Sequence, residues 1–90
     1  MKKYNIICVR LDYNVQIIDT FLSHKDAIEY LSSLIDREYK NEDKIKYFKV
    51  YYESRDAITV SHIGYLYKSF YAKYFILDFE DNTDTRYDSD

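Results

Sequence analysis

Ninety residues with 13 Lys plus Arg, 16 Asp plus Glu and a formal net charge of −3 fit one domain and argue against a bulk binder of nucleic acid or anionic membrane. A hydrophobic share of 47% excludes a wholly disordered chain, and a single cysteine excludes an internal disulfide and the stapled secreted mini-proteins. No apolar run approaches the roughly 20 residues of a membrane helix, and the short apolar stretch behind Met1-Lys2-Lys3 is no secretory leader, so the expected location is inside a cell or a virion.

Residues 4–11 are β-rich and apolar on both faces at their centre, the pattern of a central strand. Asp12-Tyr13-Asn14 reads as a turn and residues 15–21 as the returning strand of a hairpin. Ser23 then opens a helix predicted over 24–38, with Asp26 in the place of the capping-box Glu. Ala27, Ile28, Leu31, Leu34 and Ile35 recur at three and four residue spacing and form its apolar stripe. Residues 39–43 read as a polar loop. From residue 45 the period returns to two, giving strands over 45–52, 57–67 and 71–79 with turns at 54–56 and 68–70. The one glycine, Gly64, falls inside the second of these and reads as a bulge. The order ββαβββ predicts an α+β, two-layer fold, a single helix packed on an antiparallel sheet of about five strands. Residues 1–80 form the domain. Residues 81–90 are expected to be a flexible acidic tail, because residues 80–90 hold five acids against Arg86 and leave a nearly neutral body.

Few residues carry catalytic chemistry. Cys8 lies in the most apolar strand, where cysteine acts as a small core residue, and no spacing brings His24 or His62 to it. Asp81-Asn82-Thr83-Asp84 matches the start of a calcium loop but lacks the glycine and glutamate that complete it. The expectation is a non-enzymatic protein without metal or cofactor. Twelve tyrosines need a discount, since 41 residues use AT-rich codons against 8 with GC-rich codons, which points to an AT-rich genome. Alternation from the apolar runs places Phe48, Val50, Tyr52, Ile58, Val60, Phe75, Leu77 and Phe79 under the helix. It leaves Tyr47, Tyr51, Tyr74 and Ile76, with one of Ile6 or Ile7, on the opposite face as the candidate partner-binding residues. A tyrosine-rich face of this kind predicts a homodimer or a docking site for another protein. With Lys49 and Lys73 beside it, the alternative is a stacking platform for single-stranded nucleic acid, which the acidic charge disfavours. A small enzyme, or an inhibitor that mimics substrate with its acidic tail, is the third class.

The opening Tyr4-Asn5-Ile6-Ile7-Cys8-Val9, the helix start His24-Lys25-Asp26-Ala27-Ile28-Glu29-Tyr30 and the segment Gly64-Tyr65-Leu66-Tyr67-Lys68 share a style over most of the chain. In this Gly-poor, Tyr- and Ile-rich style the chain resembles the small orphan proteins encoded by nucleocytoplasmic large DNA viruses. That resemblance implies a virion component or a factor that binds host proteins, and it transfers no functional residue.

Overall fold

The switch from period two to period 3.6 and back sets out six elements in a computed structural model that describes residues 1–64 and 68–80. They are β1 (Lys2–Arg10), β2 (Val15–Phe21), α1 (His24–Tyr39), β3 (Phe48–Ser54), β4 (Ala57–Ile63) and β5 (Lys68–Glu80). The strands form one sheet in the order β2-β1-β5-β4-β3, with every neighbouring pair antiparallel. The helix covers one face, so the fold is the two-layer α+β arrangement expected from ββαβββ. The acidic tail and the strand reading of Tyr65-Leu66-Tyr67 lie outside the described residues.

Ser23 caps α1, its Oγ accepting from the Asp26 N–H at 3.3 Å, with Asp26 in the first turn and Arg37 in the last. The helical stripe buries Ala27, Leu31, Leu34, Ile35 and Tyr39. Tyr39, read as the first loop residue, is instead the last helical one. It lies four residues beyond Ile35 on the same face, which draws it into the core.

Under the helix lie Ile6 and Cys8 of β1, Ile58 and Val60 of β4, and Ala72 and Tyr74 of β5, flanked by Phe48, Val50 and Ile76. The inward side of β5 is therefore the reverse of the one expected, and Phe75, Leu77 and Phe79 point away from the helix. Register gives the reason. Ile6 pairs with Ile76 and Cys8 with Tyr74, while Ile58 and Val60 of β4 pair with Tyr74 and Ala72. Paired residues share a face, so two neighbouring strands fix the phase of β5 whatever its own hydrophobicity.

Three smaller departures have local causes. Residues 45–47 form turns rather than strand, because Asn41 Oδ1 accepts from the Asp43 and Lys44 N–H groups and its carbonyl accepts from Ile45 N–H at 2.9 Å. Lys68-Ser69-Phe70 is paired strand, opposite Ile63, His62 and Ser61, rather than a turn. Gly64 follows β4 instead of bulging it, with no positive φ; the register shift falls between Val60 and Ser61 and is taken up around Tyr71.

The β1–β2 loop closes through Tyr13 N–H to Arg10 O at 2.9 Å, and Tyr13 rather than Asn14 adopts the left-handed conformation, at φ 64°. Its side chain stands out in solvent, so only the backbone strain of a bulky left-handed residue is at stake. Tyr13→Gly is expected to raise the thermal midpoint, by about 1 kcal/mol of added stability in a calorimetric comparison.

Candidate binding face

The free face of the sheet is divided. Across β2, β1 and β5 it presents Val15, Ile17 and Thr20, then Lys3, Asn5, Ile7 and Val9, and then Lys73, Phe75, Leu77 and Phe79; the apolar residues meet in the pairs Val9 with Val15, Ile7 with Ile17 and Ile7 with Phe75. Across β4 and β3 it presents Thr59, Ser61, Lys49, Tyr51 and Glu53. Ile7 forms the floor of the apolar half; neighbours on its own face bury it to 8% exposure, outside the core beneath the helix. Around that floor Ile17 is 62% exposed and Leu77 51%. Leu11 and the left-handed Tyr13 are exposed in the β1–β2 loop.

The four tyrosine-face candidates do not come together. Tyr74 is 2% exposed in the core, and Ile76 packs half-buried beside it, so both lie on the helix side of the sheet and not on the free face. Tyr51 does lie on the free face, on the edge strand β3. Tyr47 sits in the turn before β3, its carbonyl accepting from Ile63 N–H at 2.8 Å. Alternation did mark residues 75, 77 and 79 as a set. What it could not supply was the side they take, which depends on pairing with β1 and β4.

Lys3 and Lys73, on β1 and β5, and Lys49 and Glu53, on β3, bring charge to the free face. Lys73 Nζ meets Glu53 Oε1 at 3.1 Å, and Thr20 Oγ1 donates to Asn5 Oδ1 at 2.6 Å. Lys49 lies over the Tyr51 ring, 5.8 Å from its centroid.

Beneath the helix the polar groups are tied down. The Tyr39 and Tyr74 hydroxyls share a 2.6 Å hydrogen bond in the core. Burial pushes both phenols above the ordinary tyrosine range. Cys8 is fully buried beside this pair. Cys8→Ala is expected to cost about 1 kcal/mol or somewhat more in urea unfolding, and the native thiol should label slowly.

At the other end of α1, His24 Nε2 lies 3.0 Å from both Asp56 oxygens, clasping the helix start to the β3–β4 turn. Tyr4, Ile76 and Asp78 complete a cleft of about 240 Å³ there. Asp78 is held by Lys2 Nζ at 3.3 Å. Tyr4 stands against the His24 ring at 5.2 Å between centroids. Thus neither histidine stands with Cys8: His24 belongs to this cleft and His62 packs its ring on Phe48. Among the described residues no group of three His, Cys, Asp or Glu is placed to hold a metal ion, and no helix is long and apolar enough to cross a membrane.

Comparison of the chain with known protein families, with curated proteins and with solved structures finds no match. The class is therefore that of the fold itself, one helix on a five-stranded antiparallel sheet.

Proposed function

We propose that this chain is a non-enzymatic binding or assembly protein whose working surface is the apolar half of the free sheet face. The observation that supports the reading is the orientation of β5. Of its two alternating sets, the one bearing Phe75, Leu77 and Phe79 faces solvent, while Ala72, Tyr74 and Ile76 face the helix. Isolated surface apolar residues are ordinary, but a contiguous aromatic and aliphatic patch is the mark of an interaction surface. In the viral setting that the resemblance implies, such a protein is a virion component or a factor that docks on a host protein.

The rival is single-stranded nucleic acid stacked on Tyr51 between Lys49 and Lys73. Glu53 already neutralises Lys73, which weakens that platform.

Affinity capture from a lysate of the producing cells tests the reading, using the wild type, a Leu77→Glu, Phe79→Glu double variant and a Thr59→Glu control on the polar half. The expected result is a retained protein that the double variant loses and the control keeps. Retention of nucleic acid instead, weakening steeply with salt, would favour the rival.

A further inference from the structure

We infer that the cleft at the end of β1 binds a small monocarboxylic acid with an aromatic or aliphatic body, its carboxylate held by Arg10 and the Tyr71 hydroxyl. The site lies on the helix side of the sheet, apart from the free face, so its failure and that of the docking surface are separate results.

Unequal strand ends make the cleft. β1 stops at Arg10, opposite Ala72, while β5 begins at Lys68. Among the described residues, Lys68, Ser69 and Phe70 pair with β4 alone. The step that remains is a cavity of about 320 Å³ lined by Arg10, Leu11, Asp12 and Tyr71. Arg10 keeps the phase of Ile6 and Cys8, which puts its side chain on the helix side of β1. Tyr71 is the residue passed over where β5 shifts register, between Phe70 opposite Ser61 and Ala72 opposite Val60. Its ring is set edge-on to Tyr39 and Phe48, at 6.1 and 5.0 Å between centroids.

The lining selects a carboxylate. The Arg10 guanidinium is half-buried above the Tyr71 ring, 5.7 Å from its centroid. Its Nη1 donates to Tyr71 Oη at 3.4 Å, a long bond that leaves most of the guanidinium donors unspent. Among the described residues no carboxylate lies within ion-pair reach of Arg10, whereas Lys2, Arg37, Lys40 and Lys73 each have one. A guanidinium partly withdrawn from water is best matched by a planar carboxylate taken on two parallel bonds. The Tyr71 hydroxyl accepts from Arg10 and keeps its own proton to donate to the same anion.

Charge and size narrow the ligand further. Asp12 stands on the same rim, its Oδ1 accepting from the Asn14 N–H at 3.0 Å, and it opposes a second negative charge. A monoanion is therefore favoured over a phosphate dianion. Lys44, above the Phe48 ring that packs on Tyr71, adds positive charge on the far side. Leu11 and the Tyr71 ring supply apolar walls for the body of the acid. The volume lies at the lower end of the ~300–1,000 Å³ of ligand pockets, so the acid is small.

The test is a titration followed by ¹H–¹⁵N spectra of the backbone amides and the arginine Nε–H groups, with 3-phenylpropionate as the probe. 3-Phenylpropionamide, of the same shape without the charge, and phenyl phosphate, mostly a dianion above its second pKa of about 6, are run beside it. Wild type, Arg10→Gln and Tyr71→Phe are compared, with circular dichroism to check the fold of each variant. The acid should give saturable shifts at Arg10 Nε–H and at the amides of Leu11, Asp12 and Tyr71, with a Kd on the order of 1 mM for so small a ligand. The amide, the phosphate and the Arg10→Gln variant should each bind roughly ten-fold more weakly or worse, and Tyr71→Phe should lose a few-fold.

The comparison of acid with amide is made on the wild type and stands whether or not the variants fold. The site is overturned by the absence of saturable shifts at Arg10 and Tyr71, by an amide that binds as well as the acid, or by a folded Arg10→Gln that binds the acid unchanged. Tighter binding of phenyl phosphate overturns the choice of a monoanion, and an unaltered affinity in Tyr71→Phe overturns the role of the hydroxyl.

Discussion

Leu31→Ala is expected to remove about 3 kcal/mol of stability, within the ~2–5 kcal/mol range for a leucine truncated in a packed core. Leu31 is fully buried at the middle of the helical stripe, and α1 is the only element laid over the sheet among the described residues. A cavity there separates the two layers with no third layer to close over it. A small domain commonly has ~5–15 kcal/mol in all, so the loss is a large share of the whole. Urea unfolding should show it as a lowered midpoint with little change of slope. Leu77→Ala supplies the contrast: the residue is half exposed on the free face, so dilute protein should lose well under about 1 kcal/mol.

The second large effect concerns the buried tyrosine pair. Tyr74→Phe leaves the Tyr39 hydroxyl in the core without the partner it has at 2.6 Å, and is expected to cost about 1–3 kcal/mol. The Tyr39→Phe, Tyr74→Phe double variant should cost less than the sum of the two single changes, because no orphaned hydroxyl remains. The pair also makes stability sensitive to alkaline pH. Both phenols are raised by burial, so the folded state holds protons that the unfolded chain releases above about pH 10. Their contribution is complete below that pH and is lost as pH rises beyond it. Wild-type stability should therefore fall above about pH 10, and the double variant should fall less steeply. Absorbance at the phenolate band should show these two of the twelve tyrosines ionising together with unfolding.

The helix was legible because its evidence is local. Ser23, the acidic first turn and the spacing of Ala27, Leu31 and Ile35 all lie within one short segment, and the element ends within a residue of its expected place. The central position of β1 was legible for a related reason, since its apolar run Ile6-Ile7-Cys8-Val9 demands cover on both faces and receives it from α1 on one and from its neighbours' side chains on the other. The binding face was only half legible. In β5 both alternating sets are apolar, so period two names the sets and leaves their sides open. The choice is made by partners distant in sequence, Ile6, Cys8, Ile58 and Val60, whose registers a single strand does not contain. Tyr74 went astray for that reason alone. Tyr47 failed differently, through the side chain and carbonyl of Asn41, which turn the chain where alternation suggested it ran straight.

The most direct test of the central claim, that this sheet turns an apolar patch to solvent and uses it for docking, is solvent paramagnetic relaxation of assigned methyl groups, with a soluble gadolinium chelate, before and after titration with the protein retained in affinity capture. In dilute protein the methyls of Ile17 and Leu77 should relax strongly while those of Ile6, Leu31 and Ile35 are spared. As the captured protein is added, Ile17 and Leu77 should become shielded, and Thr59 on the polar half should not change. Shielding of Leu77 in the dilute protein alone would contradict the outward face of β5, and unvarying exposure of Ile17 and Leu77 throughout the titration would contradict the use of this face for docking.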